Sequence, residues 1–128
     1  MALFLNQFPE RLSDELALGD RYQVEPLSIG TDRFDLIINQ GTVKWAVVES
    51  EELFVISKYI NGQEIAHTVL TRGQPVLAAG EAEIIGDNGQ YILLEINNHS
   101  GHYQSSAASV EIGKQAFKDR GFDLPSQI

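Results

Sequence analysis

The sequence predicts an α+β domain: an antiparallel, strongly curled β-meander of about six to seven strands, with a short N-terminal helix and a C-terminal helix packed on the sheet. Apolar residues recur at helical spacing near both ends of the chain. Between the ends the period changes to two, and turn residues arrive roughly every eight to twelve positions. A chain of 128 residues with 43% hydrophobic and 21% charged side chains suits one core, so a single domain over residues 1–128 is expected. The curl is expected because short antiparallel strands leave edges that need protection.

The first helix is placed around 9–18, where Leu3, Phe4, Phe8, Leu12 and Leu16 keep helical spacing, Pro9 suits a first turn and Gly19-Asp20 suits a stop. Strands are then expected at 22–29, 34–39, 42–50, 53–60, 63–71, 75–85 and 90–98, joined by short Gly-, Asn- and Asp-containing connections. Asn61-Gly62 is the clearest turn, because a two-residue type I′ hairpin needs positive φ at both positions. It pairs 53–60 with 63–71. From Ser105 or Ser106, either of which can cap, a helix over 106–120 follows, with Val110, Gly113, Ala116 and Phe117 on one face and Lys114 and Lys118 exposed. Gly121 and Phe122 fit a C′ glycine and its hydrophobic contact.

Eighteen acidic and nine basic residues give a formal charge of -9, with no Lys/Arg stripe. Nucleic acid and anionic membranes are therefore not expected as partners, since both need cations to replace counterions. The absence of cysteine excludes disulfides, Cys-ligated zinc and thiol nucleophiles. Residues 1–10 lack the pattern of a signal peptide and no apolar run is long enough to span a bilayer, so a cytoplasmic protein is expected. Phosphate loops, nucleophile elbows, zinc-protease and calcium motifs are missing.

Chemistry could sit in Asn97-Asn98-His99-Ser100-Gly101-His102-Tyr103, between a strand and the last helix, where two imidazoles, a phenol and a serine fall close together. The same residues also make an ordinary capped turn with Gly101 at positive φ. His67, expected on a strand whose Ile65, His67 and Val69 share a face, is either a hydrogen-bonded core residue or a catalyst. Neither it nor His102 has a third ligand at metal spacing, so no metal and no cofactor are expected. Ala78-Ala79-Gly80 implies a bulge, a close approach to a strand, or room for a ligand. Glu49-Ser50-Glu51-Glu52 reads as a solvated hairpin tip or an acidic docking patch for a basic partner.

Residues 63–121 carry a longer pattern: His67-Thr68-Val69-Leu70, Gly73, Val76, Ala78-Ala79-Gly80-Glu81, then Asn97 through Tyr103 and a helix ending in Gly121. The order and spacing resemble a module of plant IQ-motif calmodulin-binding proteins, with similar segments in bacterial proteins, some of them toxin-like. Thr68 and Val69 stand where that module has two serines, and Gln104-Ser105 where it has Arg-Pro. The calmodulin-binding segment lies outside the module, and calmodulin is not carried over. The resemblance implies that His67, the small-residue strand and the Ser-Gly-His-Tyr loop belong to one site.

The leading expectation is a small interaction or regulatory module with a protein partner, linked to a toxin or stress-response system. The alternative is a hydrolase or group transferase, ADP-ribosyltransferase-like in one form, with His67, His102 and Tyr103 catalytic and Glu81 as its carboxylate. A non-catalytic binder holding a small ligand at Ser100, Gly101 and Ser105 is the third.

Overall fold

A computed structural model describes residues 3–22, 32–39, 41–60 and 62–124. After a 3-10 turn at Pro9–Arg11 come α1 (Leu12–Arg21), α2 (Asp32–Ile38), β1 (Val43–Val48), β2 (Leu53–Ser57), β3 (Tyr59–Ile60) and β4 (Gln63–Glu64). They are followed by α3 (His67–Thr71), β5 (Val76–Asp87), β6 (Gln90–Ile96), a 3-10 turn at Ala107–Ser109 and α4 (Val110–Asp119). The fold is thus α+β with an antiparallel sheet.

The sheet differs from the expected meander. Among the described residues it has four strands in the order β2-β1-β5-β6, with β3 and β4 as a separate hairpin, and it is open at β2 and β6 rather than strongly curled. The β6 edge is partly covered by Asp123, whose amide donates to Tyr91 O and whose carbonyl accepts from the Leu93 amide, and helices lie on both faces. α2 and α4 supply Phe34, Ile38, Ala116 and Phe117 to one core, while α3 supplies Val69 and Leu70 to the other. Between these layers β1 is buried along its whole length, which explains why Val43-Lys44-Trp45-Ala46-Val47-Val48 shows no clean alternation.

Two expected strands are helices. A strand at 34–39 would place Phe34, Leu36 and Ile38 on one face; in α2, Phe34 and Ile38 enter the core one turn apart and Leu36 is 61% exposed. Asp35 fixes this helix by accepting from the Tyr91 hydroxyl and the Asn88 amide. In the other case, 63–71, only Gln63–Glu64 is strand. His67 to Thr71 form a helical turn in which all five residues are buried, so a period of two was a coincidence of composition. The expected strand at 22–29 lies, beyond Tyr22, outside the described residues. Gly19 is no stop either: it sits inside α1, where a Cβ would press on Val69 of α3.

Of the Asn61-Gly62 connection, Asn61 lies outside the described residues. Ile60 pairs with Gln63 and Gly62 has φ 78, but the ladder it closes holds only Tyr59–Ile60 and Gln63–Glu64. Among the described residues nothing lies within 4 Å of a Cβ at Gly62, so the main cost of Gly62→Val is the left-handed backbone. A loss of about 1–2 kcal/mol is expected, read as a lower thermal midpoint. An unchanged midpoint would mean that this hairpin is not formed.

The C-terminal helix follows the sequence closely. Ser106 Oγ accepts from the Ser109 amide at 3.2 Å, capping the 3-10 turn that leads into α4. Its end is a Schellman motif: Phe122 N donates to Phe117 O, Gly121 N donates to Lys118 O, and Gly121 takes φ 89. The rings of Phe117 and Phe122 meet at 5.0 Å, the hydrophobic contact that goes with the motif. Lys118 is exposed and Phe117 buried as expected, whereas Val110 and Lys114 are each half-buried. A Cβ on Gly113 would overlap the Trp45 ring, so this glycine sets how near α4 comes to β1.

Candidate functional site

Residues 97–105 fold back over β5 and are held there mostly by their own polar groups. Asn97 Oδ1 accepts from the amides of Glu81 (3.1 Å) and His99 (2.9 Å). Asn98 Nδ2 donates to Ser105 O at 2.8 Å, and Ser105 Oγ to Ala79 O at 3.2 Å. Ser100 Oγ accepts from the amides of His102 (3.3 Å) and Tyr103 (3.2 Å), which tightens the turn around exposed Gly101. At Gly80 the loop backbone comes so close that a Cβ would overlap the Asn97 carbonyl and reach 3.0 Å from Asn98 Cα. Gly80 is therefore small because a backbone lies across it, whereas Ala78 and Ala79 belong to the two cores on opposite faces of the sheet.

Tyr103 is fully buried in the core shared with Val69, Leu70 and Ala79. Its hydroxyl donates to Gln74 O and accepts from Thr71 Oγ1, both at 2.7 Å. Burial pushes the phenol pKa up, with the Thr71 hydrogen bond opposing it and Glu15 adding to it. His102 Nε2 meets Glu15 of α1, whose other carboxylate oxygen accepts from Thr68 Oγ1 at 2.8 Å. The Phe8 ring stands edge-on to the imidazole at 5.5 Å. Glu15 thus ties α1 to α3 and to the loop, with side-chain exposures of 16% for Glu15 and 14% for His102.

His67 is fully buried at the start of α3, with Nε2 donating to Gly80 O at 2.8 Å. This fixes the neutral tautomer and leaves Nδ1 buried without a hydrogen-bond partner among the described residues. Desolvation lowers its pKa to about 3, with the Lys44 ammonium adding to the effect and the Gly80 carbonyl opposing it. Lys44 is itself buried and reaches out to Glu64 at 3.0 Å.

The pH consequence has a definite sign. An unfolded chain protonates residue 67 below about 6.5, while the folded chain refuses that proton until about 3. The stability contributed by neutral burial is complete above the unfolded value and is lost progressively as pH falls toward the folded one. His67→Gln, although less stable at neutral pH, should lose less stability than the parent between pH 6.5 and 4.5 in urea titrations. Parallel curves would contradict a buried neutral imidazole.

The structure therefore brings together the three elements that the pattern grouped: His67 bonds to Gly80, the loop lies on Gly80, and Tyr103 bonds to Thr71 of the His67 helix. It does not pair the two imidazoles. His67 is turned to the β5 backbone and His102 to α1. Sequence reasoning missed Glu15, Thr68, Thr71 and Lys44. Thr68 and Thr71 have the i, i+3 spacing of one helix face, a signal hidden while the segment was read as a strand. Glu81, the carboxylate considered for catalysis, is engaged by Lys58 at 3.0 Å, which raises the lysine pKa through that hydrogen bond.

On the other side of the sheet, α4 and the ends of β1 and β5 border a solvent-open groove of about 310 Å³. Val47, Leu77, Ile112 and Ala116 form its apolar lining; Glu51, Glu111 and Asp119 bring three carboxylates to it, against the single guanidinium of Arg120. Glu51 belongs to the acidic turn between β1 and β2, in which Glu49 and Glu52 are also exposed. Among the described residues no group of three His, Asp or Glu side chains could hold a metal ion, and no helix is long and apolar enough to cross a membrane. No protein-family model matches the chain, and neither a curated protein nor a solved structure matches it.

Proposed function

We propose that this chain is a small, non-catalytic interaction module of the cytoplasm that binds a protein partner through its acidic surface. The observation that carries the reading is the state of the residues with chemical potential. His67 Nε2, His102 Nε2 and the hydroxyls of Tyr103 and Ser105 are all engaged within the fold, and Ser100 Oγ accepts from two loop amides. A catalytic acid or base has to reach a substrate proton, and a ligand-binding hydroxyl needs a donor or acceptor to offer. Residues occupied in this way serve to hold α1, α3 and β5 together. The link to a toxin or stress-response system rests on the sequence resemblance.

One observation favours a second reading. Glu15 and His102 form a carboxylate-held imidazole near the surface, the arrangement by which a general base is oriented. In a hydrolase or group transferase built this way, His102 would be the base and Glu15 its positioning residue. Nuclear magnetic resonance of the full chain with NAD, ATP, inorganic phosphate and zinc separates the two. The module reading expects the His67 and His102 ring signals and the amides of 97–105 to stay in place. Saturable shifts at His102 that disappear in Glu15→Gln would replace it with the enzyme reading.

A further inference from the structure

We infer that the groove between α4 and the ends of β1 and β5 receives one apolar side chain of a basic partner segment, whose flanking Lys or Arg residues pair with its rim. The inference rests on the interaction-module reading and names the partner's chemistry and the place where it docks. A groove of about 310 Å³ has room for an anchoring apolar side chain. Its floor offers aliphatic carbon from Val47, Leu77 and Ile112, and no buried charge that an apolar anchor would leave unpaired.

The rim sets the sign of the partner. Glu51, Glu111 and Asp119 outnumber Arg120, whose Nη1 is turned to Ala116 O at the end of its own helix (2.9 Å). Glu111, whose side chain is 73% exposed, pairs with Lys114 at 3.2 Å, a type of contact that exchanges readily for another cation. Glu51 adds a separate observation. Its backbone is left-handed at φ 71, where a side chain is disfavoured relative to glycine, yet the chain carries a carboxylate there. With Glu49 and Glu52 on the same turn and a formal charge of -9, approach of a cationic segment is favoured from a distance as well as on contact. An acidic or purely apolar partner gains nothing from this rim.

The test uses fluorescein-labelled synthetic peptides carrying one central leucine between two Lys-Arg pairs, with the unaltered chain as receptor and amide shifts as the map. Saturable binding is expected, with the shifts centred on Val47, Glu51, Leu77 and α4. Replacing the leucine by glycine, or introducing Glu111→Lys with Asp119→Lys, should each weaken binding by about tenfold. Both substituted positions are exposed, and an unchanged melting midpoint will show that the double variant is folded. No binding at millimolar peptide, equal binding by a Glu-flanked peptide, or shifts centred away from the groove would each overturn the groove assignment. These outcomes leave the module reading standing. That reading fails instead if His102 responds to the small ligands above.

Discussion

Phe117→Ala should lower the unfolding free energy by roughly 3–5 kcal/mol, the usual cost of cutting a buried aromatic ring down to a methyl group. Phe117 is fully buried, lies edge-on to Trp45 at 6.2 Å and to Phe122 at 5.0 Å, and belongs to the core that also contains Phe34 and Tyr91. Its backbone carbonyl also closes the helix by accepting from Phe122. Domains of this kind are stable by about 5–15 kcal/mol in total, so the variant would lose a large fraction of its margin. Urea titration should show the midpoint falling, while Lys118→Ala, on the exposed side, stays within about 0.5 kcal/mol of the parent. If Phe117→Ala keeps native stability, α4 is an appendage and the groove beside it is no fixed feature.

Gly80→Ala is the second large effect, and it acts where the 97–105 loop meets β5. The added methyl would overlap the carbonyl of Asn97, and because that obstacle is backbone rather than the end of a flexible side chain, either β5 or the loop must move. The cost should lie at or above the upper end of the usual overpacking range of roughly 1–3 kcal/mol. Displacing the loop would also strain the bonds from the Glu81 amide to Asn97 Oδ1 and from His67 to Gly80 O. Hydrogen exchange should show lost protection at Glu81, His102 and Tyr103. An alanine variant with parental stability and protection would mean that the loop does not press on β5.

What the sequence made legible was local chemistry, and what it concealed was tertiary. The Schellman ending at Gly121-Phe122, the Ser106 cap and the two-residue turn at Gly62 each follow from a residue whose conformational or hydrogen-bonding preference is strong. The long strands β1, β5 and β6 were readable from apolar content and turn spacing. The two short helices were not, for a common reason. In α2 the β-favouring Phe34, Ile37 and Ile38 read as strand, and packing of Phe34 and Ile38 overrode that propensity. In α3 burial on every side erased the polar face by which a helix is recognised.

The candidate residues were legible as a group but not in their roles. The pattern joined His67, Ala78-Ala79-Gly80 and the Ser-Gly-His-Tyr loop, and these elements do pack together. That His67 would face backbone, and that Tyr103 would be sealed between Thr71 and Gln74, depends on α3 lying across the sheet. No periodicity in the sequence reports such a crossing. Glu15 was missed because its partners are 53 and 87 residues away in the chain, and nothing local distinguishes it from other acids in a first helical turn.

Urea denaturation of Tyr103→Phe tests most directly whether the loop's polar groups hold the fold rather than act on a ligand. Removing the hydroxyl deletes the hydrogen bonds to Gln74 O and Thr71 Oγ1 in a site with no exposed surface at Tyr103. A scaffold role predicts a loss of about 1–3 kcal/mol, since buried groups are left without their partner. Residues kept for activity often cost stability, and their removal leaves it unchanged or raises it. A Tyr103→Phe chain as stable as the parent, or more so, would contradict the scaffold reading and return the loop to the list of active sites.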